Sequence, residues 1–181
     1  MPTGEPDGYL FVSQQEHLVA QARLDGFTLS RLQPYHDGQT FLNQARELWQ
    51  SYVAAAHPFA VKRLAMRNVN RIEMPLGTEI QRYILTCPEI ARALPQEMLN
   101  FFLNIVIPDA ASGAIAAINQ TFAQADPERS VIPLIFDVEA SREVKMDTDS
   151  AEIWEVLAQL RVLKNRIFFR SLTVEALERY R

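Results

Sequence analysis

Three arginines, Arg63, Arg67 and Arg71, recur at every fourth position of a run whose even positions are Leu64, Met66, Asn68, Asn70, Ile72 and Met74. In an extended strand side chains alternate between faces, so the arginines share one face and the asparagines share the other with the apolar residues. Successive arginines then stand about 13 Å apart at ~3.3 Å per residue. A guanidinium presents a fork of N–H donors that matches a carboxylate or phosphate. The stripe, with Arg23 or Arg31 on an adjacent strand, therefore suits an anionic small ligand or a nucleic-acid backbone. Asp25, Glu73, Asp137 and Glu139 can instead take up the same forks as cross-strand salt bridges. On the opposite face Asn68 and Asn70 bring amides toward a core, where each missing hydrogen bond costs about 1–3 kcal/mol. They either orient a ligand or bond neighbouring side chains and loop backbone. Arg63, Arg67, Asn68, Asn70 and Arg71 are accordingly the candidate ligand-binding residues.

Other chemistry finds less support. The carboxylate pairs Asp137 with Glu139 and Asp147 with Asp149 are too few to make a cation site by spacing, and the second pair is placed to cap a helix. His17, His36 and His57 are dispersed, without HExxH or paired spacing, so no metal is expected. Cys87, before Pro88, has no neighbouring histidine and reads as a packed cysteine. There is no GxSxG, and the six glycines form no phosphate-cradling loop, so no cofactor is expected. Trp154, Phe168 and Phe169 are a candidate apolar patch for a partner or a second copy.

The elements that must position these residues are legible as periodicities. Gly8–Val12 and His17–Leu24 read as strands, with a turn or bulge at Asp25-Gly26 before Phe27–Leu32. A helix from Gln39 to Ala55 carries Phe41, Ala45, Leu48, Trp49, Tyr52, Val53 and Ala56 in one stripe, with Asp37 as N-cap and His57-Pro58 as its stop. Phe59 to Met74 is the long strand described above. Short helices are expected at Glu79–Leu85, opened by a Thr78/Gln81 capping box, and at Glu89–Leu94 between two prolines. Strands follow at Met98–Ile107, Ala114–Phe122 and Val131–Ala140, where Pro133 argues for an edge or a bulge. A long helix runs from Asp149 to about Arg170, and Thr173 caps a last short one. This order is neither βαβ alternation nor a helical bundle. It predicts an α+β fold with a mostly antiparallel, twisted sheet of about six strands and two long amphipathic helices packed on one face.

The chain has 181 residues, of which 48% are hydrophobic and 22% charged. That is the composition of one globular domain, which with the element order predicts a single α+β domain over residues 1–181, with residues 1–8 expected to be disordered. A net charge of −4 disfavours a polyanion partner. A single cysteine rules out an internal disulfide, and neither a signal peptide nor an apolar run of membrane-spanning length is present, which points to a cytoplasmic location.

Three segments together look familiar: Ala22 to Leu32 (ARLDGFTLSRL) with Pro34-Tyr35, Arg63 to Pro75 (RLAMRNVNRIEMP), and Leu163 to Phe169 (LKNRIFF) followed by Ser171-Leu172-Thr173. In order and spacing they resemble a sporadically distributed family of uncharacterised bacterial proteins, over roughly residues 10 to 181. The resemblance implies an accessory role and brings no agreed catalytic residues. It also implies that the upstream segment of that family, which begins with a strand, is lacking here. An aromatic residue is more usual where Asn68 stands, and a tryptophan near Gly38 and Gln39.

The reading that follows is a non-catalytic ligand- or protein-binding α+β domain acting through its arginine-bearing sheet face, with a homodimer as a further possibility. The alternatives are an enzyme with an unrecognised active site around the Arg63–Arg71 strand, marked by a carboxylate such as Asp137 or Glu139 facing it, and a nucleic-acid-associated accessory protein.

Overall fold

A computed structural model describes residues 7–15, 17–32 and 38–178. It is α+β, with its strands in two antiparallel sheets of three and four strands. The chain divides into two compact units, one of residues 1–61 with 147–149, the other of residues 62–146 with 150–181.

The first unit is built on strands β1 (Gly8–Ser13), β2 (Leu18–Arg23) and β3 (Gly26–Arg31), an antiparallel meander in chain order. Gly8 stands in the sheet opposite Arg23, and Asp7 pairs with the Arg23 guanidinium at 2.9 Å. Residues 1–6 lie outside the described residues. A Cβ at position 8 would stand 2.2 Å from the Ala22 carbonyl oxygen, so only glycine fits there. Leu24 and Asp25 form the β2–β3 turn, and Gly26 opens β3 rather than supplying the turn. Helix α1 (Gly38–Ala56) lays Trp49 and Tyr52 against Phe27, with ring centroids 6.1 and 5.5 Å away. Tyr52 donates to the Arg23 carbonyl and Trp49 Nε1 to that of Thr148, both at 2.9 Å. The helix stops where His57 turns into the left-handed region (φ 48°) and donates its N–H to Val53. Asp37, expected as its cap, lies outside the described residues, as does His36.

The second unit contains β4 (Val61–Pro75, from Lys62 onward), β5 (Phe102–Asp109), β6 (Ala114–Phe122) and β7 (Val131–Met146), in the order β4-β7-β6-β5. The β5–β6 hairpin closes through residues 110–113, with Gly113 at φ 65°. Even-numbered residues of β6 and β7 and Leu64, Met66, Ile72 and Met74 of β4 face the core. There helix α2 (Glu152–Ser171) packs Val156, Leu160 and Leu163 against Ala114 and Ala140, while Ile72, Met74, Ile118, Leu134, Phe136 and Val138 meet Tyr83, Ile84, Leu172 and Ala176. Helix α3 (Val174–Glu178) is capped as expected, Thr173 Oγ1 accepting the Ala176 N–H at 3.1 Å. Just ahead of it the end of α2 is clasped to a segment some ninety residues earlier. Leu85 N–H donates to Ser171 at 2.8 Å, Thr173 N–H to Tyr83 at 3.1 Å, and Thr173 Oγ1 to the Arg82 carbonyl at 2.6 Å.

Several expectations need correction. The single sheet of about six strands is instead two smaller sheets, and the two long helices do not share one face: α2 packs on β7 and β6, whereas α1 packs on β3. Pro133 sits fully buried in β7, between β4 and β6, and not at an edge. It lies just before the paired stretch that starts at Leu134, and its carbonyl accepts the Ala123 N–H at 2.8 Å. The Thr78/Gln81 box does not form. Only a 3-10 turn (Ile80–Arg82) is present, without a side-chain cap, and residues 89–94 are irregular. At α2 neither Asp147 nor Asp149 caps the helix: its N-cap is Ala151, without a side-chain cap, and one residue earlier Ser150 Oγ accepts the Glu152 N–H at 3.3 Å.

Candidate functional site

Strand β4 alternates as its sequence predicts: Arg63, Arg67, Val69 and Arg71 are exposed, whereas Ile72 and Met74 are buried and Leu64, Met66, Asn68 and Asn70 half-buried. Because α2 covers the core face, the arginines occupy the other, open face of the four-stranded sheet.

Neighbouring β7 answers them with acids of the same parity. Arg67 grips Asp137 through two parallel bonds, Nε to Oδ1 and Nη2 to Oδ2, each 2.8 Å. Arg63 pairs with Glu139 and, at 3.9 Å, with Glu143. Arg71 approaches Glu73 at 3.8 Å, and Glu73 is also held by both terminal nitrogens of Arg129 at 3.0 and 2.7 Å. Bidentate pairing is the strongest geometry available to a guanidinium, and it raises the Arg67 pKa, the hydrogen bond to Asp137 being the main cause.

The Asp137 side chain is only 8% exposed, and its second partner extends the pattern across the sheet. Asn119 on β6, directly opposite Asp137, donates to Oδ2 at 3.3 Å. Asn104 on β5, directly opposite Asn119, donates to its Oδ1 at 2.7 Å. Arg67, Asp137, Asn119 and Asn104 thus form one hydrogen-bonded ladder that crosses all four strands in the order β4-β7-β6-β5. Exposed Val69, Phe102, Val106 and Ile115 stand on the same face.

The five candidate residues therefore divide. Arg63, Arg67 and Arg71 share the open face, as spacing required. Asn70 is on the core side, where its Nδ2 donates to the Phe136 carbonyl at 3.1 Å, the backbone-satisfying alternative to ligand binding. Asn68 is half-buried on that same side. Sequence reasoning missed Asn104 and Asn119. Their signal was present in each strand's alternation, which puts a lone amide on the outward parity of an apolar run.

Elsewhere the candidates separate. Trp154 and Phe168 both lie on α2, near its opposite ends. A helix rises ~1.5 Å per residue, which sets them about 21 Å apart along its axis. Phe168 stacks on buried Phe136 with centroids 5.8 Å apart, so no joint patch forms. Cys87 is half-buried against the core, and burial pushes its thiol pKa up. Among the described residues no three His, Cys, Asp or Glu side chains cluster to hold a metal ion, and no helix is long and apolar enough to cross a membrane.

Two buried polar side chains lie in the second unit's interior. Gln120, 1% exposed on the core side of β6, has neither amide atom hydrogen-bonded among the described residues. Lys164, 3% exposed on α2, has its ammonium pKa lowered to about 8 by burial and then by Arg161.

Comparison with known proteins finds no match to the chain among family models, curated proteins or solved structures.

Proposed function

We propose that the protein is a non-catalytic α+β binding domain that takes another protein on the open face of its four-stranded sheet. We also infer a cytoplasmic setting and membership of the bacterial family that its three motifs resemble. One observation carries the binding reading: the four-residue ladder, whose charges are already matched within the sheet, runs between exposed apolar side chains. A free phosphate or carboxylate would have to displace Asp137, Glu139 or Glu73 from the guanidiniums, so a small anion gains little there. A polar line flanked by Val69, Phe102 and Val106 instead has the mixed character of a protein interface, where aromatic and aliphatic contacts give area and amides give register.

The test is a photo-crosslinking side chain placed in turn at Val69, on this face, and at exposed Val162 on α2, in cells that make the protein. The expected result is a discrete protein adduct at position 69 and none at 162. Equal adducts at both positions would sink the reading. A rise in melting temperature with inorganic phosphate that Arg67→Ala abolishes would replace it with the anion-ligand alternative.

A further inference from the structure

The two edges of the four-stranded sheet differ in how they are protected. An edge strand exposes unpaired backbone donors and acceptors, and charged side chains are the usual deterrent to pairing with another chain. Edge β4 carries Lys62, Arg63, Arg67, Arg71 and Glu73. Edge β5 has its one charge at its very end, on Asp109, which Arg166 holds: from Leu99 to Pro108 there is no charged residue, and Phe102 (73%) and Val106 (58%) are largely exposed. We propose that two copies of this chain pair β5 to β5, antiparallel, about a two-fold axis at Asn104, which joins their four-stranded sheets into one of eight.

The argument for a second copy is the self-complementarity of the strand. With Asn104 opposite itself, Phe102 falls opposite Val106 of the second copy, and Val106 opposite its Phe102. On the other face Leu103 and Ile105 exchange in the same way, so every pair is apolar on apolar except at the axis. No like charges meet. At the axis the Asn104 amide has spent one N–H on Asn119, and it retains a second N–H and its carbonyl oxygen, the two groups needed for a reciprocal amide pair. The ladder of each sheet would then run continuously into the other. The edge carries this inference whether or not a partner occupies the face.

Sedimentation velocity and native mass spectrometry of the full chain at rising concentration test it. A concentration-dependent dimer is expected. Asn104→Asp and Asn104→Lys each set a charge against its own copy and should raise the dimer dissociation constant about tenfold or more, while a mixture of the two variants should re-form as a heterodimer. Val106→Lys, which leaves the Asn104–Asn119 bond intact, should weaken the dimer too and guards against misfolding of the first pair. A wild-type chain that stays monomeric throughout overturns the proposal. So does a dimer indifferent to all three changes, or one lost only with Leu10→Lys, which would move the contact to β1, the uncharged edge of the other sheet.

Discussion

Arg67 and Asp137, seventy residues apart in sequence, are joined by two parallel 2.8 Å hydrogen bonds that fasten edge strand β4 to β7. The carboxylate is buried and the guanidinium is more than half exposed, so the two partners are not equivalent when removed. Arg67→Ala strands a buried charge and should destabilise the protein by about 1–3 kcal/mol, discounted from a fully buried pair because solvent screens the arginine side. In the double variant with Asp137→Asn the loss should be smaller than the sum of the single losses. Urea unfolding of the four proteins measures the coupling, and additive losses would show that the pair is decoration.

Lys164 makes the opposite kind of prediction. Its ammonium is charged below about pH 8 in the folded chain and below about 10.5 in the unfolded one. Between those values the unfolded state binds more protons, so stability should rise as pH climbs from 8 to 10.5, and the burial cost should be present in full at pH 7. Lys164→Met keeps the length, removes the charge, and should add on the order of 3 kcal/mol at pH 7 while flattening that rise. Thermal melts across the alkaline range decide; an unstabilised variant with an unchanged slope would refute it.

Gln120 occupies a position in β6 where an apolar residue would cost nothing. Replacing it by methionine, of similar volume, removes two polar atoms that have no partner among the described residues and should stabilise the chain by about 1–3 kcal/mol. The readout is the denaturation midpoint. A lower midpoint would mean that the amide is satisfied by water in solution.

Asp109 ends β5 at a point where three elements meet: it accepts Ser112 Oγ at 2.5 Å and Arg166 Nη2 at 2.7 Å, which holds the β5–β6 hairpin to α2. Its pKa is lowered, first by the Ser112 bond and then by Arg166. A carboxylate with a depressed folded pKa contributes stability above its ordinary range and loses it as pH falls through the lowered value. Ser112→Ala and Arg166→Ala should each flatten the acid limb of a melting-temperature profile, and wild-type acid sensitivity in both variants would contradict the assignment.

What could be read beforehand follows from range. The two faces of β4 were legible because period-2 alternation persists from Leu64 to Met74, and Thr173 announced its helix because capping is local. Asp137, Glu139 and Glu73 were on the short list of acids for the arginines, but which acid meets which arginine depends on strand pairing across some seventy residues, which no local pattern encodes. The same blindness merged the strands into one sheet, since nothing within Gly8–Arg31 says that it does not pair with the later strands. Thr78 with Gln81 has the spelling of a capping box without the apolar helical run behind it, and the chain there makes a single 3-10 turn. Asn104 and Asn119 stand out in their own strands only as lone outward amides, and an amide becomes part of a ladder only beside its register partner.

The backbone clasp between residues 82–85 and 171–173 also orders events in time. A ribosome releases Ile84 and Leu85 long before Ser171 and Thr173 exist, so the hydrogen-bond acceptors and donors of the earlier segment must wait, solvated, through the synthesis of three strands and a long helix. The core around Tyr83 and Ile84 can close only when the last turn of α2 and the start of α3 have emerged. A nascent chain of this protein thus carries Tyr83 and Ile84, both fully buried once folded, exposed until residues 171–176 have emerged, which is the interval in which it most needs protection from other chains.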